Sequence, residues 1–252
     1  MHLPRPPKAV TFDCWSTLIS DIDWDATTRQ RCDALVSIGE QRGWDLDKER
    51  AIELIEASWQ EHVQTWRKGK VFGSIGAARW VVARLVEDDH VTSQEADEIA
   101  NELALQLEDA TSRVGTKVVE GAVSAVQAVR DSGIATALIC DTGFTPARHV
   151  RGFLGEHGIE LDHYFFSDEV GVPKPDPRIF MAALDACGCT PEQAIHIGDL
   201  RRTDIAGARG VGMATIRFAG IHDDEWYPEE VSGEEADQVI KHWDELASVI
   251  GI

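Results

Sequence analysis

Short apolar runs that stop at an aspartate recur in this chain, and the recurrence limits what it can fold into. Ile195-His196-Ile197 leads into Gly198-Asp199, and a second carboxylate, Asp204, stands a few residues further on. Ala9-Val10-Thr11-Phe12 leads in the same way into Asp13 and the turn Cys14-Trp15-Ser16-Thr17. The run Ile134 to Ile139 ends in Cys140-Asp141-Thr142-Gly143. Such runs read as strands buried on both faces of a parallel sheet. Carboxylates just past the ends of parallel strands sit where open α/β sheets bind their ligands. Acids so close together repel each other unless a hard cation or a positive side chain shares the site.

A cationic partner is offered by Val172-Pro173-Lys174-Pro175-Asp176-Pro177. Each proline fixes its own φ and restricts the residue before it, so Lys174 is held on stiff, extended backbone and its ammonium is aimed. Alone, the segment would read as a surface loop with a solvated lysine.

Between these motifs the periodicity changes. From Ala26 to Arg113 the apolar spacing is helical, as in Ala51-Ile52-Glu53-Leu54-Ile55-Glu56-Ala57-Ser58-Trp59 and from Gly76 to Val86. Thr92-Ser93-Gln94-Glu95 offers a helix N-cap. From Glu120 onward helical and strand patterns alternate, as in a sheet with crossover helices. Thr145-Pro146 marks a helix start, and Met213 to Phe218 reads as a strand.

Taken in order, the four motifs resemble those of the haloacid dehalogenase superfamily of hydrolases. The resemblance covers nearly the whole chain. It implies an α/β fold: a Rossmann-like core with a parallel sheet, formed by residues 1–20 and 115–252, and an inserted α-helical cap over 21–114. It implies Asp13 as a nucleophile that forms a covalent aspartyl intermediate, kept ionised by nearby positive charge. Lys174 would pair with Asp13 and the substrate, and Asp199 would complete the catalytic set. Asp13, the backbone carbonyl of Trp15, Asp199 and Asp204 would hold Mg²⁺, with Asp204 acting on the metal directly or through a ligand or water. Trp15, Cys140, Asp141, Thr142 and Gly143 would line the substrate, backbone amides of the last four binding anionic oxygens.

Two departures qualify the resemblance. Many phosphatases of the family carry a second Asp two residues after the nucleophile, to protonate the leaving group; this chain has Trp15, whose indole only donates. Either the leaving group needs no proton, or water serves, or the activity is lost. The second departure is Cys140, where the family usually has Ser or Thr; Thr142 is the other residue that fits the role. A catalytic thiolate at Cys140 or Cys14 is the sharper alternative to a buried thiol, and neither has a histidine partner in sequence.

The dehalogenase branch shares a large aromatic at the position of Trp15 but lacks the Gly-Asp of the last motif, which is intact here. The converging carboxylates favour Mg²⁺ and a small phosphorylated metabolite. A 2-haloacid dehalogenase-like displacement at carbon is the alternative, and a catalytically degenerate binding protein stands third.

The formal charge of −20 excludes nucleic acid and anionic membrane as partners. It also means that a small anionic substrate needs a locally positive site. No cationic leader with an apolar stretch is present and the cysteines are scattered, so the chain reads as cytoplasmic with reduced thiols. Cys187-Gly188-Cys189 reads as a helix end rather than a metal site. In the cap, Trp59, Trp66, Phe72 and Trp80 read as bundle core. Arg67, Lys68 and Lys70 read as solvated charge, His196 as a satisfied core histidine, and His222 with Asp223, Asp224 and Glu225 as a solvated loop.

Overall fold

A computed structural model describes residues 2–88, 90–221 and 234–252. The loop read at His222 to Glu225 lies outside the described residues. The chain divides into two compact units: Met1–Ser20 with Lys117–Asp141 and Arg151–Ile252, and Asp21–Thr116 with Thr142–Val150.

The first unit is built on a six-stranded sheet. Its strands are β1 (Ala9–Phe12), β4 (Ala135–Cys140), β5 (His163–Phe166), β6 (Ala194–Gly198), β7 (Ala214–Phe218) and β8 (Gln238–Ile240), in the order β5-β4-β1-β6-β7-β8. Every pairing is parallel. β1, β4, β6 and β7 are buried almost throughout, the pattern of strands covered on both faces. The connecting helices are α5 (Ala122–Asp131), α6 (Ala147–Glu156), α7 (Ser167–Val170), α8 (Pro177–Cys187), α9 (Ala206–Val211) and α10 (Leu246–Ile250). The chain leaves β1 toward β4 on one side and returns to β6 on the other. The carboxyl end of β1 therefore faces a topological switch point, where such sheets take their ligands.

One face of this sheet is closed by α8. Ile179, Phe180, Ala183 and Leu184 pack with Ala9, Ala137, Ile139 and Ala194. α8 starts at Pro177, with the Asp176 carboxylate accepting from the Arg178 N–H (2.9 Å), and stops at Gly188 in the left-handed region. Cys187-Gly188-Cys189 is accordingly a helix end, and all five cysteines are free. A second sheet of two strands, β2 (Ile19–Asp21) and β3 (Thr116–Val118), has no counterpart in the sequence reading. At three residues each, these strands are too short for alternation to register.

The second unit is helical: α1 (Trp24–Arg42), α2 (Lys48–Arg67), α3 (Gly73–Glu87) and α4 (Ala96–Val114). Asp23 caps α1 through the Ala26 N–H (2.8 Å) and Asp47 caps α2 through the Arg50 N–H (2.7 Å). The cap expected at Thr92 forms a turn instead. Thr92 Oγ1 donates to the Glu95 carboxylate (2.5 Å), and α4 begins only at Ala96. Leu35, Leu54, Val81, Leu85, Leu103 and Leu107 form the core of the bundle. Residues 142–150 group with this unit because Phe144 is buried in that core. Thr145 bonds Thr111 on α4 (2.9 Å), and Arg148 pairs with Glu108. No described helix is long and apolar enough to cross a membrane.

Candidate active site

Asp13 follows β1 directly and donates its N–H to Ile197 O on β6 (2.8 Å). Register pairs Phe12 with Leu138 on β4 and with Ile197 on β6. Asp13, Cys140-Asp141 and Gly198-Asp199 therefore leave the sheet at one edge. After Asp13 the backbone turns sharply. The N–H groups of Leu18 and Ile19 bond Cys14 O (2.8 and 3.0 Å), and Ser16 adopts φ 58°, which a non-glycine residue seldom does. The turn brings Thr17 back to Asp13, where its Oγ1 donates to Asp13 Oδ2 (2.9 Å).

The proline-flanked lysine is aimed as its sequence implied. Lys174 Nζ donates to Asp13 Oδ1 (2.5 Å) and to Asp204 Oδ1 (2.6 Å). Its backbone N–H is held by Asp141 Oδ1 (2.9 Å), so Asp141 anchors the lysine loop. Asp204 lies on a π-helical turn, Arg201–Ile205, that opens into α9. Its Oδ2 accepts from the Leu200 N–H (3.0 Å), and its Oδ1 is shared by Lys174 and His196 Nε2 (3.2 Å). Thr11 Oγ1 holds the other ring nitrogen of His196 at 2.8 Å. The core histidine of the sequence reading is thus satisfied, and satisfied by a site carboxylate.

Gly198 has a steric reason. A Cβ there would stand 2.6 Å from Asp204 Cβ and 2.7 Å from its Oδ1. The Gly-Asp of the motif is what lets Asp204 fold back against β6. Gly207 repeats the device, since its Cβ would meet the Phe180 ring and Pro175.

Ligand oxygens of Asp13, Asp199 and Asp204 all lie within 4.8 Å of one another, and all three residues are buried. Burial raises Asp13 to about 6; Lys174 pulls it down and Asp204 adds to the rise. The family resemblance implies that Lys174 and Mg²⁺ together keep Asp13 ionised; burial outweighs the lysine alone. Asp199 is pushed well above its ordinary value by burial, then by the charges of Asp13 and Asp204. Asp204 goes the other way: burial opposes its charge, but Lys174 and His196 hold it well below the ordinary range. Burial opposes the Lys174 ammonium too, and the carboxylates of Asp13, Asp204 and Asp141 more than offset it.

Cys140 is fully buried and its thiol is pushed up by burial, then by Cys14 and the charge of Asp13. That is the opposite of thiolate activation, and it disfavours Cys140 as a nucleophile. Trp15 is half-buried, and its bridge to Ile19 runs through Cys14 O and Ser16 N, not through its own carbonyl. Thr142 and Gly143 belong to the helical unit, where a side chain on Gly143 would touch Trp59 at 3.5 Å. In that unit Trp59, Phe72 and Trp80 pack against the core, Arg84 lies over Trp80 (3.9 Å), and Lys68 and Lys70 are exposed. Sequence reasoning missed Thr17 and the bond from His196 to Asp204. Spacing of four residues from Asp13 was the available signal for Thr17, and the bond from His196 to Asp204 had none.

A model of the haloacid dehalogenase-like hydrolase family matches residues 7–212. The chain belongs to the haloacid dehalogenase-like hydrolases. Among curated relatives, glyceraldehyde 3-phosphate phosphatase of Pyrococcus furiosus is 38% identical over 104 residues, 40% of this chain and 41% of that protein. Human haloacid dehalogenase-like hydrolase domain-containing protein 3 is 30% identical over 146 residues, 56% of each chain. The matches thus span about half the length of these relatives. Among solved structures, a 2-haloacid dehalogenase from Pseudomonas syringae superposes with a TM-score of 0.72 at 21% identity, covering 97% of this chain and 98% of that one. At that identity the likeness establishes the fold.

Proposed function

We propose that this hydrolase cleaves phosphate from a small phosphorylated metabolite, with Asp13 as nucleophile and Mg²⁺ bound by Asp13, Asp199, Asp204 and the Trp15 carbonyl. One observation carries the reading: three buried carboxylates converge within 4.8 Å, and Lys174 is the one ammonium bonded to them among the described residues. All the donors are hard oxygens, the kind Mg²⁺ selects. Asp199, held well above the ordinary range by burial and two neighbouring acids, is the carboxyl that a cation would return to its ionised form. The ion would neutralise charge on the phosphoryl oxygens.

The chain's own groups supply the rest. Lys174 orients Asp13 Oδ1, and Thr17 fixes Oδ2, so the carboxylate is presented in one orientation. Backbone amides of the turn after β4 receive the anionic oxygens. A degenerate binder would have no use for so costly a buried charge cluster. Residues 21–114 are, in this reading, the inserted cap of a core made of 1–20 and 115–252. A cytoplasmic setting is part of the same proposal, supported by five free cysteines.

Trp15 decides which phosphates serve best. Without a carboxyl to protonate the leaving group, esters of poor leaving groups lose a factor of about 10² to 10⁴ relative to anhydrides and aryl esters. Phosphate release from acetyl phosphate, p-nitrophenyl phosphate and glycerol phosphate, with and without Mg²⁺, tests this. The expected order is acyl and aryl ahead of alkyl, all dependent on Mg²⁺. Trp15 also supports the second reading, displacement at carbon. Chloride release from 2-chloropropionate without Mg²⁺, and no phosphate release, would replace the first reading with it.

A further inference from the structure

Two polar side chains stand where a sheet covered on both faces calls for apolar ones. Thr11 in β1 and His196 in β6 are register partners, and both are fully buried. They bond each other, Thr11 Oγ1 to His196 Nδ1 at 2.8 Å. The other ring nitrogen, Nε2, reaches Asp204 Oδ1 at 3.2 Å. A valine beside a phenylalanine would fill similar space without taking a hydroxyl and an imidazole out of water. Packing alone gives no reason for the pair.

The bonds it makes return to the strand they start from. Thr11 and Asp13 are two residues apart, so their side chains leave β1 on the same side. From Thr11 the bonds run to His196, to Asp204 Oδ1, to Lys174 Nζ (2.6 Å) and on to Asp13 Oδ1 (2.5 Å). His196 and Gly198 are likewise two apart on β6, and Gly198 is the residue whose missing side chain makes room for Asp204. Each step has a direction. A carboxylate oxygen only accepts, so Nε2 carries the hydrogen that it shares with Asp204. In the neutral ring Nδ1 is then the acceptor, and the Thr11 hydroxyl donates to it and selects that tautomer. Phe180 stands edge-on to the imidazole at 5.2 Å and limits its rotation. Asp204 Oδ2 is held by the Leu200 N–H (3.0 Å) and the Thr203 hydroxyl (3.4 Å). With Oδ1 held by His196 as well, the carboxylate cannot turn. Without the imidazole, it can pivot about Oδ2 and carry Lys174 with it.

We infer that His196 is a positioning residue for the reaction at Asp13, a role that rests on Asp13 being the attacking group as proposed above. Its Nε2–H, oriented by Thr11, fixes Asp204 Oδ1, and through that oxygen it aims the Lys174 ammonium at Asp13.

His196→Phe keeps a flat ring and removes both nitrogens. His196→Gln keeps a side-chain N–H near the place of Nε2. The Lys174 ammonium gives a readout that needs no reaction. Buried and held by two carboxylates, it should show its own slowly exchanging NMR signal in metal-free protein, assigned by its loss in Lys174→Met. That signal should persist in His196→Gln and broaden or vanish in His196→Phe, with the fold still melting cooperatively. On p-nitrophenyl phosphate with Mg²⁺, His196→Phe should lower kcat by roughly tenfold or more while KM stays within about twofold, and His196→Gln should recover most of the loss. An unchanged Lys174 signal or an unchanged kcat in His196→Phe overturns the inference, and so does a His196→Gln variant as impaired as His196→Phe. If the wild type itself releases no phosphate, the reaction proposed for Asp13 has failed, and the Lys174 signal alone decides whether His196 aims the lysine. Should His196→Phe fail to melt cooperatively, Thr11→Val decides by the same readouts. A broadened Lys174 signal with kcat reduced by about threefold or more supports the role, and wild-type behaviour in either overturns it.

Discussion

Replacing Lys174 with methionine isolates what holds the carboxylates together. Lys174 is 2% exposed and bonds Asp13 and Asp204 at 2.5 and 2.6 Å. Methionine keeps most of the volume and removes the charge, leaving two buried carboxylates facing each other. Breaking a buried pair by deleting one partner costs about 3–5 kcal/mol. Partial protonation of Asp13 relieves some of this, so the lower end, about 3 kcal/mol, is the expected loss at neutral pH. For a chain of this length that is a fall in melting temperature of about 6–12 °C. Urea and thermal melts in chelator-treated buffer, followed by circular dichroism, measure it. Adding Asp13→Asn to the Lys174→Met background removes one of the opposed charges and should return at least about 1 kcal/mol, a coupling that independent sites do not show. A loss below about 1 kcal/mol, or a double variant less stable than the single one, refutes the view that Lys174 neutralises the pair.

Other sites give equally definite outcomes. Gly198→Ala forces Asp204 off its bonds to Leu200 and Lys174, so it should cost roughly 1–3 kcal/mol and abolish Mg²⁺ binding in a calorimetric titration. His62 is held at about 4 in the folded chain while the unfolded imidazole titrates near 6.5. The unfolded state therefore binds the extra proton between these values, and the stability His62 contributes is full above pH 6.5 and lost as pH falls toward 4. The loss is about 3 kcal/mol, read as the difference in urea midpoints between wild type and His62→Gln across that range. Phe180 is fully buried, meets His196 edge-on at 5.2 Å and fills the space over Gly207. Phe180→Ala should cost about 3–5 kcal/mol in the same assay.

The sheet was legible because its strands are continuous apolar runs with polar punctuation, and because each site acid falls immediately after one of them. Asp13 and Asp199 could be named for that reason, Asp204 from its nearness to Asp199 and Lys174 from its flanking prolines, and the four do converge. Aim and partnership were not legible. Nothing in the local sequence says that Asp141 holds the Lys174 N–H or that His196 bonds Asp204, since the first contact joins segments 33 residues apart and the second runs from a strand into a π-helical turn. The segment 142–150 illustrates the same limit. Its motif continues β4, yet Phe144 is claimed by the helical core, and packing rather than adjacency decides where it belongs.

The central claim is that the Asp13 carboxylate attacks phosphorus. Acid-quenching the protein with acetyl phosphate and Mg²⁺, then mapping the modified peptide by mass spectrometry, tests it most directly. The account predicts a phosphoryl group on Asp13, absent without Mg²⁺ and absent in Asp13→Asn. Phosphate release that continues in Asp13→Asn, or a phosphoryl group found on another residue, would contradict it.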